Sequence, residues 1–291
     1  MEIGIHTENF HDWRNHRANR DALVARAYAE IREAGFDCAD LTALDDVKNA
    51  FYTSDLETAK KLAEQERDVA LAAGIRIHQV HGPWPTDDKT EENRLQKRIY
   101  MERAVRLTSH FGAKYLVIHP DMPFGWGDEP DPAFARKTNL ELFRAILPIA
   151  EEEGIILCIE NMPMTRHALS PALPMYEFVR ELDHPNLGMC LDTGHANVFG
   201  HDCGDIVRAI APVLKVLHVH DNMGDKDTHL YPFEGTVNWE SFTTALREIG
   251  FDGVMSIEST LKQRDMTLDG HIDGAKKVAD IARRLANSVA R

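Results

Sequence analysis

Eight short apolar, β-branched runs recur along the chain, and a longer segment with helical periodicity follows each of them. The runs are "EIGIHT", "FDCADLT", "IRIHQVHGPW", "AKYLVIHP", "IILCIENMP", "LGMCLDTGHA", "VLKVLHVHDN" and "DGVMSIEST". Stops and starts fall where helix ends need them: Gly35 and Gly74 close helical stretches, and Ser54 and Asp55 are capping candidates with Glu57 close behind. Strand and helix in strict alternation mean parallel strands joined by helical crossovers. Eight such units in 291 residues predict an α/β fold of the (β/α)8 TIM barrel type, with a doubly wound open sheet as the alternative. No Pro/Ser-rich linker or shift in composition interrupts the series, so one domain over 1–291 is expected. The loop 120–132, "PDMPFGWGDEPDP", is the richest in Pro and Gly and reads as a lid or rim.

In a parallel barrel the chemistry sits at the C-terminal ends of the strands. Strand by strand, those ends carry His6, Asp40, His78 with His81, His119, Glu160, Asp192 with His195, His218 with His220, and Glu258. Glu160 and Glu258 each follow an apolar run that has to be buried, and a buried carboxylate stays ionised only with a partner or a metal. Taken singly, a histidine in a strand is more often a hydrogen-bonded core or rim residue than a ligand, and that reading stands open for His6, His78 and His220. Asp40 alone could cap a segment or pair with a lysine. His184 and His201 lie in turn-like contexts, His11 and His16 in loops, and the run 151–153 reads as a solvated helix end. The conjunction is what resists the bland reading, because each unpaired group would cost about 1–3 kcal/mol to bury. "HVHDNMGDKDTH", residues 218–229, therefore reads as one wall of a divalent-metal site, with imidazole and carboxylate ligands suiting Zn, Mn, Fe or Co better than Ca.

Charge and composition narrow the partners. A formal net charge of −14 disfavours a protein built to grip phosphate backbones, so nucleic acid is not the expected partner. "MEIGIHTENF" has no basic region followed by an apolar run, and no stretch approaches the roughly 18 apolar residues of a membrane span; a cytoplasmic protein is expected. Cys38, Cys158, Cys190 and Cys203 show no C-x-x-C spacing and are expected to be reduced core thiols.

"CIENMP", "CLDTGHA", "LHVHDN", "DTHLYPFEGTVNW" and "SIEST", in this order, resemble the xylose-isomerase-like barrel superfamily, which includes sugar phosphate isomerase/epimerase-type proteins and the endonuclease IV (AP endonuclease family 2) branch. The resemblance covers essentially the whole chain. For the ketose epimerase branch it implies one divalent metal (Zn, Mn, Co or Mg) on Glu160, Asp192, His218 and Glu258. It further implies proton transfer at a carbon beside a metal-bound carbonyl, through an enediolate, with Glu160 and Glu258 as base and acid and His195 on a substrate oxygen. For the endonuclease IV branch it implies three zinc ions on nine positions, adding a second cluster of His81, His119, His195, Asp227 and His229. A metal-dependent sugar, sugar phosphate or polyol isomerase or epimerase is the expectation. The trinuclear zinc phosphodiesterase is the alternative, and a catalytically silent sugar- or metal-binding barrel the third reading. Trp84, Trp126 and Phe124 are candidates to stack on a sugar face or to pack the rim. Arg166 and Arg264 are candidates to meet an anionic substrate group or to lie solvated. By analogy with such barrels, a homo-oligomer is implied.

Overall fold

The computed structural model describes residues 1–10, 20–84, 89–261 and 268–290. Eight parallel strands form the barrel wall: β1 (Ile3–His6), β2 (Cys38–Leu41), β3 (Arg76–His81), β4 (Tyr115–Ile118), β5 (Ile156–Glu160), β6 (Leu187–Asp192), β7 (Leu214–His218) and β8 (Met255–Ile257). Neighbours in sequence are neighbours in the sheet, β1 pairs with β8, and a bridge between Val219 and Ile257 joins the two remaining edges. The alternation read from the sequence is thus a nearly closed (β/α)8 barrel, not an open doubly wound sheet.

The outer layer holds α1 (Arg20–Ala34), α2 (Ala50–Thr53), α3 (Leu56–Ala72), α4 (Glu91–His110), α5 (Pro132–Glu153), α6 (Ala172–Leu182), α7 (Thr193–Val198), α8 (Cys203–Ile210), α9 (Trp239–Glu248) and α10 (Leu268–Val289). Their ends follow local chemistry. Asp55 accepts from Thr58 N at 2.9 Å to start α3, and Asp131 accepts from Phe134 N at 3.0 Å with Pro132 in the first turn of α5. Gly154 ends α5 at φ 68°, a conformation that costs a residue with a Cβ.

Side chains on a strand alternate between its two faces, so residues two apart share one. Val117, Cys158, Cys190 and Val216 form a dry layer inside the barrel. Two residues further along the same strands come His119, Glu160, Asp192 and His218. The polar rim is therefore the next layer up from an apolar plug, and its residues are pinned by strands buried on both faces. A register shift between Met189 and Cys190 brings Asp192 opposite His218 on the neighbouring strand. All four cysteines are buried and unpaired, as expected from their spacing.

Candidate metal centre

Seen from the rim, carboxylates and imidazoles converge with little else between them. The ligand atoms of Glu160, Asp192, His218 and Glu258 lie within 4.8 Å of one another. Three adjoining groups meet the same limit: His81, His119 and Glu160; His195, His220, Asp227 and His229; and Glu160, Cys190 and His218. His218 is fully buried. Its Nδ1 lies 2.8 Å from Glu160 Oε1 and 2.9 Å from Glu258 Oε2, while its Nε2 faces Asp40 Oδ2 at 2.9 Å. Asp40 is held in turn by Gln79 Nε2 at 2.7 Å and Ser256 Oγ at 3.3 Å, so it pairs with rim groups and not with a lysine.

Three more histidines share a pattern. His195 Nδ1 donates to the Asn161 carbonyl at 2.7 Å, His229 Nδ1 to the Glu258 carbonyl at 2.9 Å, and His81 Nδ1 to Asp45 Oδ1 at 2.9 Å. With Nδ1 carrying a proton, each ring in its neutral form turns an Nε2 lone pair inward, the form a metal would bind. Those lone pairs meet carboxylate oxygens: His195 and His229 face Asp227 Oδ2 at 3.1 and 3.2 Å, and His81 faces Glu160 Oε2 at 3.8 Å. Lone pair against carboxylate is repulsive unless a proton or a cation lies between them. Metal-ligating histidines are oriented in this way, by a carbonyl or carboxylate on the far nitrogen. Asp227 Oδ1 and Glu258 Oε2 are buried without a hydrogen-bond partner, which also fits a cation at this place.

The electrostatics of the metal-free groups carry the same signature. Burial disfavours ionised Glu160, but His218, His119 and His81 outweigh it and hold the carboxyl well below its usual range. Burial likewise opposes charge on His195 and His229, yet Asp192 and Asp227 beside the first, and Asp227 and Glu258 beside the second, push both imidazoles up to about 10. For His119 burial wins, and its imidazole drops to about 4.

A cavity of about 200 Å³ opens onto these groups. Its lining combines the polar Glu160, Glu258, His81, His119, His195, Asp227 and His229 with the apolar Trp84, Trp126, Met162, Pro163 and Met164. Trp84 packs edge-on to His119 at 4.4 Å and to Trp126 at 4.7 Å, and Met122, Met162 and Met164 cluster beside it. Among the described residues that line the cavity there is no lysine or arginine.

Every histidine and carboxylate singled out from the strand ends lies on this rim except His78. That ring sits lower in the barrel beside Arg76 and Tyr115, and burial together with the neighbouring guanidinium lowers it to about 4. Arg166 lies outside the cavity lining, exposed and ion-paired with Asp128, and Arg264 lies outside the described residues. The sequence reading missed Asp45, which orients His81, and Asn161, whose side chain bonds both Asp192 N and Asp192 O at 2.9 and 3.0 Å. Asn161 stands next to Glu160 and was findable by position, whereas Asp45 and Asp46 look alike in "ALDD".

A model of the family described as "Xylose isomerase-like TIM barrel" matches residues 28–286, and the chain belongs to that family. Over 90% of its length it is 25% identical to the D-psicose 3-epimerase of Agrobacterium fabrum, covering 86% of that protein. It is 26% identical over 60% of its length to a probable endonuclease 4 of Mesomycoplasma hyopneumoniae, of which it spans 64%. Among solved structures, a D-psicose 3-epimerase crystallised in the presence of D-fructose superimposes with a TM-score of 0.78 at 21% identity, over 98% of this chain and 99% of that one, a likeness in fold.

Proposed function

We propose that this protein is a divalent-metal-dependent ketose epimerase or isomerase, with the ion on Glu160, Asp192, His218 and Glu258. The observation that carries this reading is the approach of Glu160 and Glu258 to one nitrogen of His218, from strands β5 and the end of β8, with both carboxylates opening onto the same small cavity. When bound, the ion polarises a substrate carbonyl and lowers the barrier to removing the neighbouring C–H proton. The chain supplies the rest. One of Glu160 and Glu258 takes that proton while the other, protonated, delivers its own to the opposite face, and this exchange inverts the carbon. His195, its Nδ1 fixed on Asn161, holds a substrate oxygen. Trp84, Trp126, Met162 and Met164 keep water from the reacting carbon and offer an apolar face to the sugar ring. The similarity to D-psicose 3-epimerase along most of the chain supports a carbohydrate as substrate.

The test is solvent exchange. Metal-loaded protein incubated with a panel of free ketoses in D2O should place deuterium on the carbon beside the carbonyl, read by NMR, alongside the epimer. A panel that yields neither deuterium nor epimer would sink the reading. A second reading, metal-dependent phosphodiester cleavage, is favoured by one observation: His81, His119 and Glu160 form a donor group of their own beside the first. Nicking of a duplex with an abasic site, lost on His119→Ala, would put that activity first.

A further inference from the structure

The loop after β4 is fixed at both ends. Asp121 N donates to Asn139 Oδ1 at 2.7 Å, its carbonyl accepts from Asn139 Nδ2 at 3.0 Å, and its carboxylate pairs with the buried Lys97 at 2.9 Å. At the far end Asp131 caps α5. Between the two, Trp126 lines the cavity and meets Trp84 edge-on at 4.7 Å. It is 59% exposed, too much for core packing to hold it, so the backbone that carries it decides where the ring lies.

That backbone is clasped by the loop after β5. His167 Nε2 donates to the Gly127 carbonyl at 2.8 Å, and its Nδ1 faces Glu129 Oε2 at 3.7 Å. Glu129 Oε1 accepts from Ala168 N at 3.0 Å. The side chains of His167 and Glu129 are 4% and 3% exposed, so these contacts are shielded from water. Arg166 and Asp128 beside them pair in open solvent, where screening leaves such a pair little hold. The β5 loop is itself closed, by Met162 N on the Ser170 carbonyl at 2.9 Å and His167 N on the Met164 carbonyl at 3.1 Å, and it carries Met162 and Met164 into the cavity wall.

We infer that His167 is a positioning residue: by holding Gly127 and Glu129 it seats Trp126 over the cavity and joins the loops after β4 and β5 into one cover. His167 is neither in the cavity lining nor in a metal-donor group, so its effect reaches the site through Trp126. The seating of Trp126 stands apart from the reading above; its effect on turnover rests on that reading.

The first test needs no substrate. In protein labelled with 5-fluorotryptophan, Trp126→Phe identifies the Trp126 resonance in the 19F spectrum. His167→Ala should move that resonance toward its position in unfolded protein and leave that of the buried Trp239 in place. His167→Gln, whose side-chain amide can still donate to the Gly127 carbonyl, should hold it at the parent position. A Trp126 resonance unmoved in His167→Ala overturns the inference. If His167→Ala fails to fold, as Trp239 would report, Glu129→Ala takes its place, and an unmoved Trp126 resonance there overturns it equally. The second test uses turnover by metal-loaded protein. On a ketose that the parent epimerises, His167→Ala should lower kcat/KM about 10-fold, and should cost nothing more in protein that already carries Trp126→Ala. Losses that simply add would place the effect of His167 elsewhere and overturn the inference. A protein whose Trp126 resonance moves as expected but which epimerises no ketose refutes the epimerase reading and keeps His167 as the clasp.

Discussion

His81 turns its Nδ1 onto the carboxylate of Asp45, 2.9 Å away, and thereby aims its Nε2 at Glu160 across 3.8 Å. The pair spans two strands' worth of chain, since Asp45 follows β2 and His81 ends β3. Without Asp45 the ring keeps only the Gly82 carbonyl, 3.1 Å from Nδ1, to hold its tautomer and angle. Asp45→Ala is expected to weaken the binding of an ion contacting Glu160 and His81 by about 10- to 100-fold, measured by competition with a chelating dye. Unchanged affinity would count against His81 as a ligand.

Glu258→Gln removes a charge that faces the cavity and keeps the shape of the side chain. Its backbone N–H, donated to Val219 O at 3.1 Å, is untouched, so the barrel seam is kept. Turnover is expected to fall by about 10²- to 10⁴-fold, in step with the loss of deuterium exchange, at nearly unchanged Tm. A variant with ordinary kcat would exclude Glu258 as base or acid.

In the metal-free protein His195 and His229 titrate near 10 against an ordinary value of about 6.5. A raised folded pKa gives stability that is complete below about pH 6.5 and drains away as pH climbs toward 10. Asp227, held below its ordinary range against the opposing effect of burial by the two rings, contributes in the opposite sense, its share being lost on acidification. Metal must displace the imidazole protons, so affinity should rise with pH through this window and binding near pH 7.5 should release protons. Calorimetry in buffers of different ionisation enthalpy reads that release directly; heats independent of buffer would contradict it.

Gly194→Ala places a methyl 2.0 Å from Cε1 of the buried His220 ring, so the ring or the backbone must shift to admit it. Overpacking of this kind costs about 1–3 kcal/mol, visible as a lower midpoint in urea at unchanged slope. Stability equal to the parent would mean that His220 sits elsewhere.

Much of this was legible in the residues because a barrel strand has period two. One rule, a polar residue two beyond a buried apolar one, places His119, Glu160, Asp192 and His218 in the same layer. The strand-to-helix alternation gave the architecture for the same local reason. What escaped was non-local. Asp45 matters through a ring 36 residues away, and Asp221 shapes the loop by accepting from Val237 N and Trp239 Nε1, distances no periodicity reports. The short helices α2 and α7 also escaped, each held by a single cap, Asn49 or Asp192. For Arg166 the sequence leaves an anionic substrate group and surface solvation both open, and the structure has it exposed and paired with Asp128 on another loop.

The dry layer beneath the rim has one more consequence. Cys158 and Cys190 lie inside the barrel and Cys38 and Cys203 are buried elsewhere, and burial pushes all four thiols far from the thiolate form. A thiol-selective alkylating reagent therefore finds no exposed cysteine in the folded protein, and its rate of uptake at each sulfur times the parting of the structure around it. The protein carries its own clock for barrel opening, with hands on three strands and one helix.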